Sequence, residues 1–232
     1  MENSKEIAED KKTDHVFRRE ACEDDKIISA HFYNFIIGIT LFWGFAVNYF
    51  IVRTVNPYYL LQNMNIYVFI LGYFALCFGG SFIMKKSKNP AVSFLGYNMI
   101  VVPFGLVINI VVSQYAPEIV MQAILYTGVV TGIMMCLGTM FPAFFASIAR
   151  SLSISLIIVV IIEVLGIVFL KQTFNIIDWA VVFIFCGYIG LDWGRANQIP
   201  KTLDNAVDSA AAIYIDIINM FLRILRILGR KK

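Results

Sequence analysis

Charge is scarce in this 232-residue chain: 15% of its residues are Asp, Glu, Lys or Arg, while 59% are hydrophobic. Ordinary soluble domains hold about a quarter charged and about 45–50% apolar residues, so the imbalance argues against a water-soluble globule and for a polytopic membrane protein. Histidine is scarcer still. His15 and His31 are the only two, and both lie in the polar approach to the first apolar run. A histidine-ligated metal centre or a Ser-His-Asp arrangement therefore lacks raw material. The four cysteines, Cys22, Cys77, Cys136 and Cys186, show no C-x-x-C spacing, and three of them sit inside apolar runs. They read as small hydrophobes rather than as a disulfide framework or a metal knuckle. No enzyme chemistry and no resident cofactor are expected.

What charge there is lies unevenly. Residues 1–28 hold 9 of the 16 acidic and 6 of the 19 basic side chains, which leaves the body with a net charge of +6. That excess is too dispersed for a nucleic-acid footprint, which needs Lys and Arg clustered on one solvated face. The N-terminal stretch has no apolar h-region with a cleavage site, so it reads as a charged cytoplasmic tail rather than as a secretory signal. The expected organisation is a tail over 1–28 and a membrane domain over 29–232.

Crossing roughly 30 Å of hydrocarbon takes about 20 apolar residues. Seven stretches qualify, over 32–52, 66–84, 91–113, 119–140, 152–170, 176–193 and 207–228. The fold class expected is all-α, with seven transmembrane helices. Asn56-Pro57, Asn89-Pro90, Ala116-Pro117, Phe141-Pro142 and Ile199-Pro200 mark boundaries between elements. Gly128-x-x-x-Gly132, extended by Cys136, either lets two helices approach closely or is ordinary membrane-helix glycine.

With the N-terminus inside, nine basic residues fall on cytoplasmic flanks, Lys85, Lys86, Lys88, Arg150 and Arg195 among them, against Arg53 and Lys171 outside. This bias favours a cytoplasmic N-terminus, in a plasma membrane of bacterial type. The basic C-terminal end, Arg223 to Lys232, opposes the rule if the last segment crosses.

Carboxylates inside a span are costly unless they face a bundle interior, a water-filled cavity or a partner, so each is a candidate functional residue. The first four stretches have none. Glu163 stands among apolar neighbours in the fifth, Asp192 closes the sixth and Asp216 lies within the seventh. Asp178 and Glu118, at span ends, are expected to be solvated. A hairpin of the last two stretches centred near Asp204 places Asp192 and Asp216 at similar depth. Carboxyl groups brought together cannot both ionise cheaply, so they share a proton and act as a latch. Ionised, they offer hard oxygens to a cation such as calcium, making them a transient metal site. Asp208, Asp216, Asn219, Arg223, Arg226 and Arg230 step by three, four or eight and form one stripe. Asn219 thus supports an ion path beside Asp216, and Glu163 is either a second cation stop or a hydrogen-bonding group between helices. One of Lys85, Lys86, Lys88 or Arg195 could pair with the aspartates.

The stretch AAIYIDIINMFLRILRILG closely resembles the C-terminal signature of the Bax inhibitor family, the transmembrane Bax inhibitor motif-containing proteins. Tyr214, Asp216, Asn219, Phe221, Leu225, Arg226 and Gly229 carry the likeness, with Ile213 where the family has leucine. GYIGLDWGRANQ resembles the sixth-span motif of that family, with Leu191 replacing the tyrosine before Asp192, and PEIVMQAILYT resembles its fourth span. The resemblance implies six helices wrapped around a central C-terminal helix, with the aspartates as a pH-sensitive latch over a calcium leak. It also implies a part in calcium homeostasis and, for eukaryotic relatives, suppression of cell death. The partners it implies are the lipid bilayer, calcium ions and protons. Two other readings stay open on the sequence: a non-conducting regulator of another membrane protein, and an intramembrane aspartyl protease, although the G-x-G-D motif of such enzymes is missing at Asp216.

Overall fold

The computed structural model describes residues 26–63, 65–171 and 175–230. Most of the charged tail, residues 1–25, lies outside that set. The described chain is helical: α1 (Ala30–Thr54), α2 (Pro57–Asn63), α3 (Ile66–Lys86), α4 (Pro90–Val112), α5 (Pro117–Met140), α6 (Pro142–Leu165), α7 (Asn175–Gln198) and α8 (Leu203–Gly229). A π-helical turn, Gly166–Leu170, extends α6.

Helix boundaries follow the local chemistry. Proline lacks an N–H and has its φ preset, which suits the first helical position, and Pro57, Pro90, Pro117 and Pro142 each open a helix. Asn65 and Asn89 cap α3 and α4 by accepting the backbone N–H of Tyr67 and Ala91, and Ser29 caps α1 through Phe32. The fifth apolar stretch starts at 152 because Ser147, Arg150 and Ser151 interrupt the hydrophobic run before it, whereas the helix begins ten residues earlier, at Pro142. Arg150 is thus an exposed helical residue rather than a loop flank.

Among the described residues, six helices, α1 and α3 to α7, are long and apolar enough to cross a membrane. Large apolar side chains such as Phe78, Phe82, Ile157 and Phe169 stay exposed on them, as suits a surface wetted by lipid. At 27 residues, α8 spans about 40 Å. Its charged side chains keep it out of that group of six, although Ile213, Tyr214, Met220 and Leu225 on it are fully buried.

The helices divide between two compact units, and α8 is continuous through both. One comprises Glu23–Pro117 and Lys201–Tyr214. Here α3 and α1 pack on α4, and polar groups tie down the first half of α8. The Tyr33 hydroxyl donates to the Asn205 carbonyl at 3.3 Å, Ser93 donates to Asp204 at 2.6 Å, and Asn48 donates to the Tyr214 hydroxyl at 2.6 Å. Tyr214 also meets the rings of Phe45, Tyr97 and Phe104.

The second unit contains Glu118–Pro200 and Ile215–Lys232. In it α6 packs on α7, and the Trp193 indole donates to Thr139 at 2.8 Å. The close approach of helices falls at Gly138 of α5 and Gly190 of α7, where a Cβ on Gly138 would run into the backbone of Gly190. Gly128 and Gly132 have open space at that position, so the G-x-x-x-G pair is ordinary membrane-helix glycine. The contrast gives a direct test by thermal unfolding in detergent. Gly138→Ala should cost about 1–3 kcal/mol through overpacking, whereas Gly128→Ala should leave stability unchanged or raise it by about 0.5–1 kcal/mol.

Candidate functional site

The second unit gathers Glu163, Asp178, Asp192 and Asp216. On α7, Asp178 and Asp192 are 14 residues apart, close to four helical turns, so both lie near one stripe about 21 Å long. Asp216 on α8 and Arg230, just past its end, are separated by the same interval, with Asn219, Arg223 and Arg226 between them. The two helices meet at two rungs of this ladder, Asp192 with Asp216 and Asp178 with Arg230. This is the register expected of a hairpin centred at 204, although the segment between the helices is 199–202.

At the first rung the side chains of Asp192 and Asp216 come close enough to interact directly. Asp216 is 6% exposed, and its Oδ2 is buried with no hydrogen-bond partner. A hydrogen bond between carboxyl groups needs a proton on one of them, since two bare carboxylates have only acceptors to offer. The arrangement is therefore suited to holding a single proton between two acids. Asn219, one turn along, donates its amide to the Ile215 carbonyl at 2.8 Å. Its hydrogen bond to the helix backbone is thus local to α8.

At the second rung the charges are opposite and more numerous. Arg223 reaches both oxygens of Glu163, from Nη1 at 2.7 Å and from Nη2 at 2.6 Å, the bidentate fork that makes guanidinium–carboxylate pairs strong. Arg223 also meets Asp178 at 3.0 Å. Arg226 Nη1 lies 2.8 Å from Glu163 and 3.2 Å from Asp178. Arg230 lies 2.9 Å from the other oxygen of Asp178 and also bonds Asn175. Arg223 and Arg226 of α8, with Arg230 just past its end, thus hold Glu163 of α6 and Asp178 of α7.

Two expectations change here. Asp178 is not solvated: its side chain is 1% exposed, because Arg223, Arg226 and Arg230 cover it. Glu163 has named partners, and both its oxygens are taken up by guanidinium groups. The signal for this cluster was present in the arginine spacing of the last stretch, but nothing in the sequence told which acids those arginines face.

Among the described residues no three His, Cys, Asp or Glu side chains converge on one point. The aspartate pair on its own supplies fewer oxygens than the six to eight that calcium takes when it is held.

A multi-span helical membrane protein with a buried carboxyl pair on its last two helices is the class these features define. The sequence model of the family described as Inhibitor of apoptosis-promoting Bax1 matches residues 27–232, and the chain belongs to that family. No curated protein sequence matches the chain.

The ionic rung makes a quantitative prediction. Removing one partner of a buried pair strands the other charge, at about 3–5 kcal/mol. Arg223→Leu should therefore destabilise the protein by that order, and the Arg223→Leu/Glu163→Leu double variant by clearly less than the sum of the singles. A double-mutant cycle on detergent-solubilised protein reads the coupling; strict additivity would show that the pair is not energetically linked.

Proposed function

We propose that this protein is a pH-sensitive calcium leak in which Asp192 and Asp216 form a proton-sharing gate. The observation that carries the reading is the close approach of the two carboxyl groups, which a single proton can bridge by a hydrogen bond, at a site where Asp216 is almost wholly buried. With one proton on the pair, the bond holds α7 to α8. Without it, two negative charges in a poorly solvated setting repel each other, by on the order of a few kcal/mol for adjacent charges at an effective dielectric constant of about 20. A few kcal/mol is enough to exchange the populations of two conformations. The ionised pair also presents hard oxygens to a passing calcium ion, as a transient rather than a resident site. Asn219 is a supporting polar group along the path, while the pairing of Glu163 with arginine favours an anchoring role for it over a cation stop.

In this reading α8 is a seventh crossing, central to the other six, and its buried residues along the whole helix support that place for it. The N-terminus is read as cytoplasmic, on the basic-residue bias, and the host as a plasma membrane of bacterial type. Membership of the Bax inhibitor family supports a role in calcium homeostasis.

Calcium flux into proteoliposomes between about pH 5 and 8 tests the gate. Protonation favours the closed pair, so flux should rise with pH in the unaltered protein. Asp216→Asn and Asp192→Asn supply an amide that hydrogen-bonds without a titrating proton, and each should flatten the pH response. A flux and pH profile that survive both changes would remove the aspartate pair from gating.

A further inference from the structure

One end of the first unit carries exposed positive charge. Lys85 and Lys86 stand in the last turn of α3, and both are exposed. The Lys86 ammonium lies 5.8 Å from the centroid of the Phe82 ring, a contact that leaves its charge in place. Lys88 follows two residues on, before Pro90 opens α4. The acids of this unit among the described residues are Asp204 and Asp208, both on α8. Asp208 is 6% exposed, too buried to serve a lysine at the surface, and Asp204 accepts the Ser93 hydroxyl at 2.6 Å.

The described chain enters at this same end. The Ile28 N–H donates to the Lys201 carbonyl at 2.9 Å, and the Lys201 ammonium lies 5.9 Å from the centroid of the Tyr33 ring. Three residues beyond Lys201 comes Asp204, whose partner Ser93 sits in the first turn of α4, just after the lysine run. Hydrogen bonds thus gather the entrance of the chain, the start of α8 and the α3–α4 connection at one end of the unit.

What precedes that entrance is acidic. Residues 1–25 hold nine acidic and five basic side chains, and the imbalance is concentrated next to Lys26. Glu20, Glu23, Asp24 and Asp25 put four acids into six residues, and all five bases come before them. Six residues reach at most about 20 Å, so these acids are tethered beside the lysines at high effective concentration. Anionic headgroups are the competing occupant. Their recognition takes clusters of about four to eight basic side chains, whereas the run from Lys85 to Lys88 has three. An anionic surface would also repel the acids held next to it.

We propose that the acidic segment 20–25 docks on Lys85 and Lys86, a strap of carboxylates across the α3–α4 end of the first unit. The tail is then held against the membrane domain by opposite charge.

Cys22 lies inside the acidic segment and offers a label position. Spin labels on Cys22 and on Ala91→Cys, with Cys77, Cys136 and Cys186 changed to serine, report the distance by double electron–electron resonance on the full chain in phosphatidylcholine vesicles. A short, narrow distance distribution is expected. Lys85→Glu/Lys86→Glu should reduce the short-distance population about fivefold, and 1 M salt, where the screening length is about 3 Å, should reduce it likewise. Adding Glu20→Lys/Glu23→Lys/Asp24→Lys/Asp25→Lys to the reversed lysines should restore it, a rescue that damage to α3 would not permit. A broad distribution that charge reversal leaves unchanged overturns the proposal, as does a short distance that survives both reversal and salt. A distance that lengthens when phosphatidylglycerol replaces phosphatidylcholine gives the lysines to lipid headgroups and overturns it too.

Discussion

Charge buried between α7 and α8 is the constraint around which the second unit is organised. An unpaired ion in hydrocarbon, or in a dry protein interior, costs several kcal/mol. Every ionisable group carried into that setting must find a partner on another helix. Asp178, Asp192 and Asp216 each do so, as do Glu163 and Arg223. The partners sit at matched 14-residue intervals on α7 and α8, so satisfying one rung sets the register that satisfies the other. A slide of one helical turn would move about 5.4 Å and leave charges at both rungs without their counterparts. Lipid-facing apolar packing is tolerant of such a slide; paired charge is not.

The two rungs hold α8 by different chemistry, and the residue types explain why. Arginine stays charged at any physiological pH and presents five donors in a rigid fork. Three such forks can surround two carboxylates from different helices with several hydrogen bonds each, a task that the single point charge of lysine performs poorly. The dicarboxyl rung depends on a proton for any hydrogen bond between its two acids. Salt, metal and pH therefore act on the two rungs unequally. The first unit fixes α8 by a third kind of contact, neutral hydrogen bonds from Tyr33, Asn48 and Ser93 together with aromatic packing around Tyr214.

The helices were largely legible in the sequence because apolar runs and prolines are local signals. Pro57, Pro90, Pro117 and Pro142 open helices where the breakers put them. The register of the last hairpin could also be read, since antiparallel neighbours pair at a constant sum of residue numbers, and Asp192 and Asp216 obeyed it. Long-range pairing was not legible. Asp178 looked like a solvated span end because its covering arginines are 45 to 52 residues away, and no local pattern records that they turn towards it. The Gly128-x-x-x-Gly132 spacing failed for the mirror-image reason: a small-residue pair has meaning only if another backbone comes near, and the close backbone here belongs to Gly138 and Gly190.

Joining the rungs gives the mechanical sense of the proposed gate. A proton lost from Asp192 and Asp216 sets two negative charges against each other at one end of the α7–α8 contact, while the arginine cluster about 21 Å away is left as it was. The helices cannot simply part, because the ionic rung keeps its hydrogen bonds. They can tilt or rotate about that rung. Under this reading the cluster of Glu163, Asp178 and the three arginines is the stationary end of a lever whose other end answers to pH.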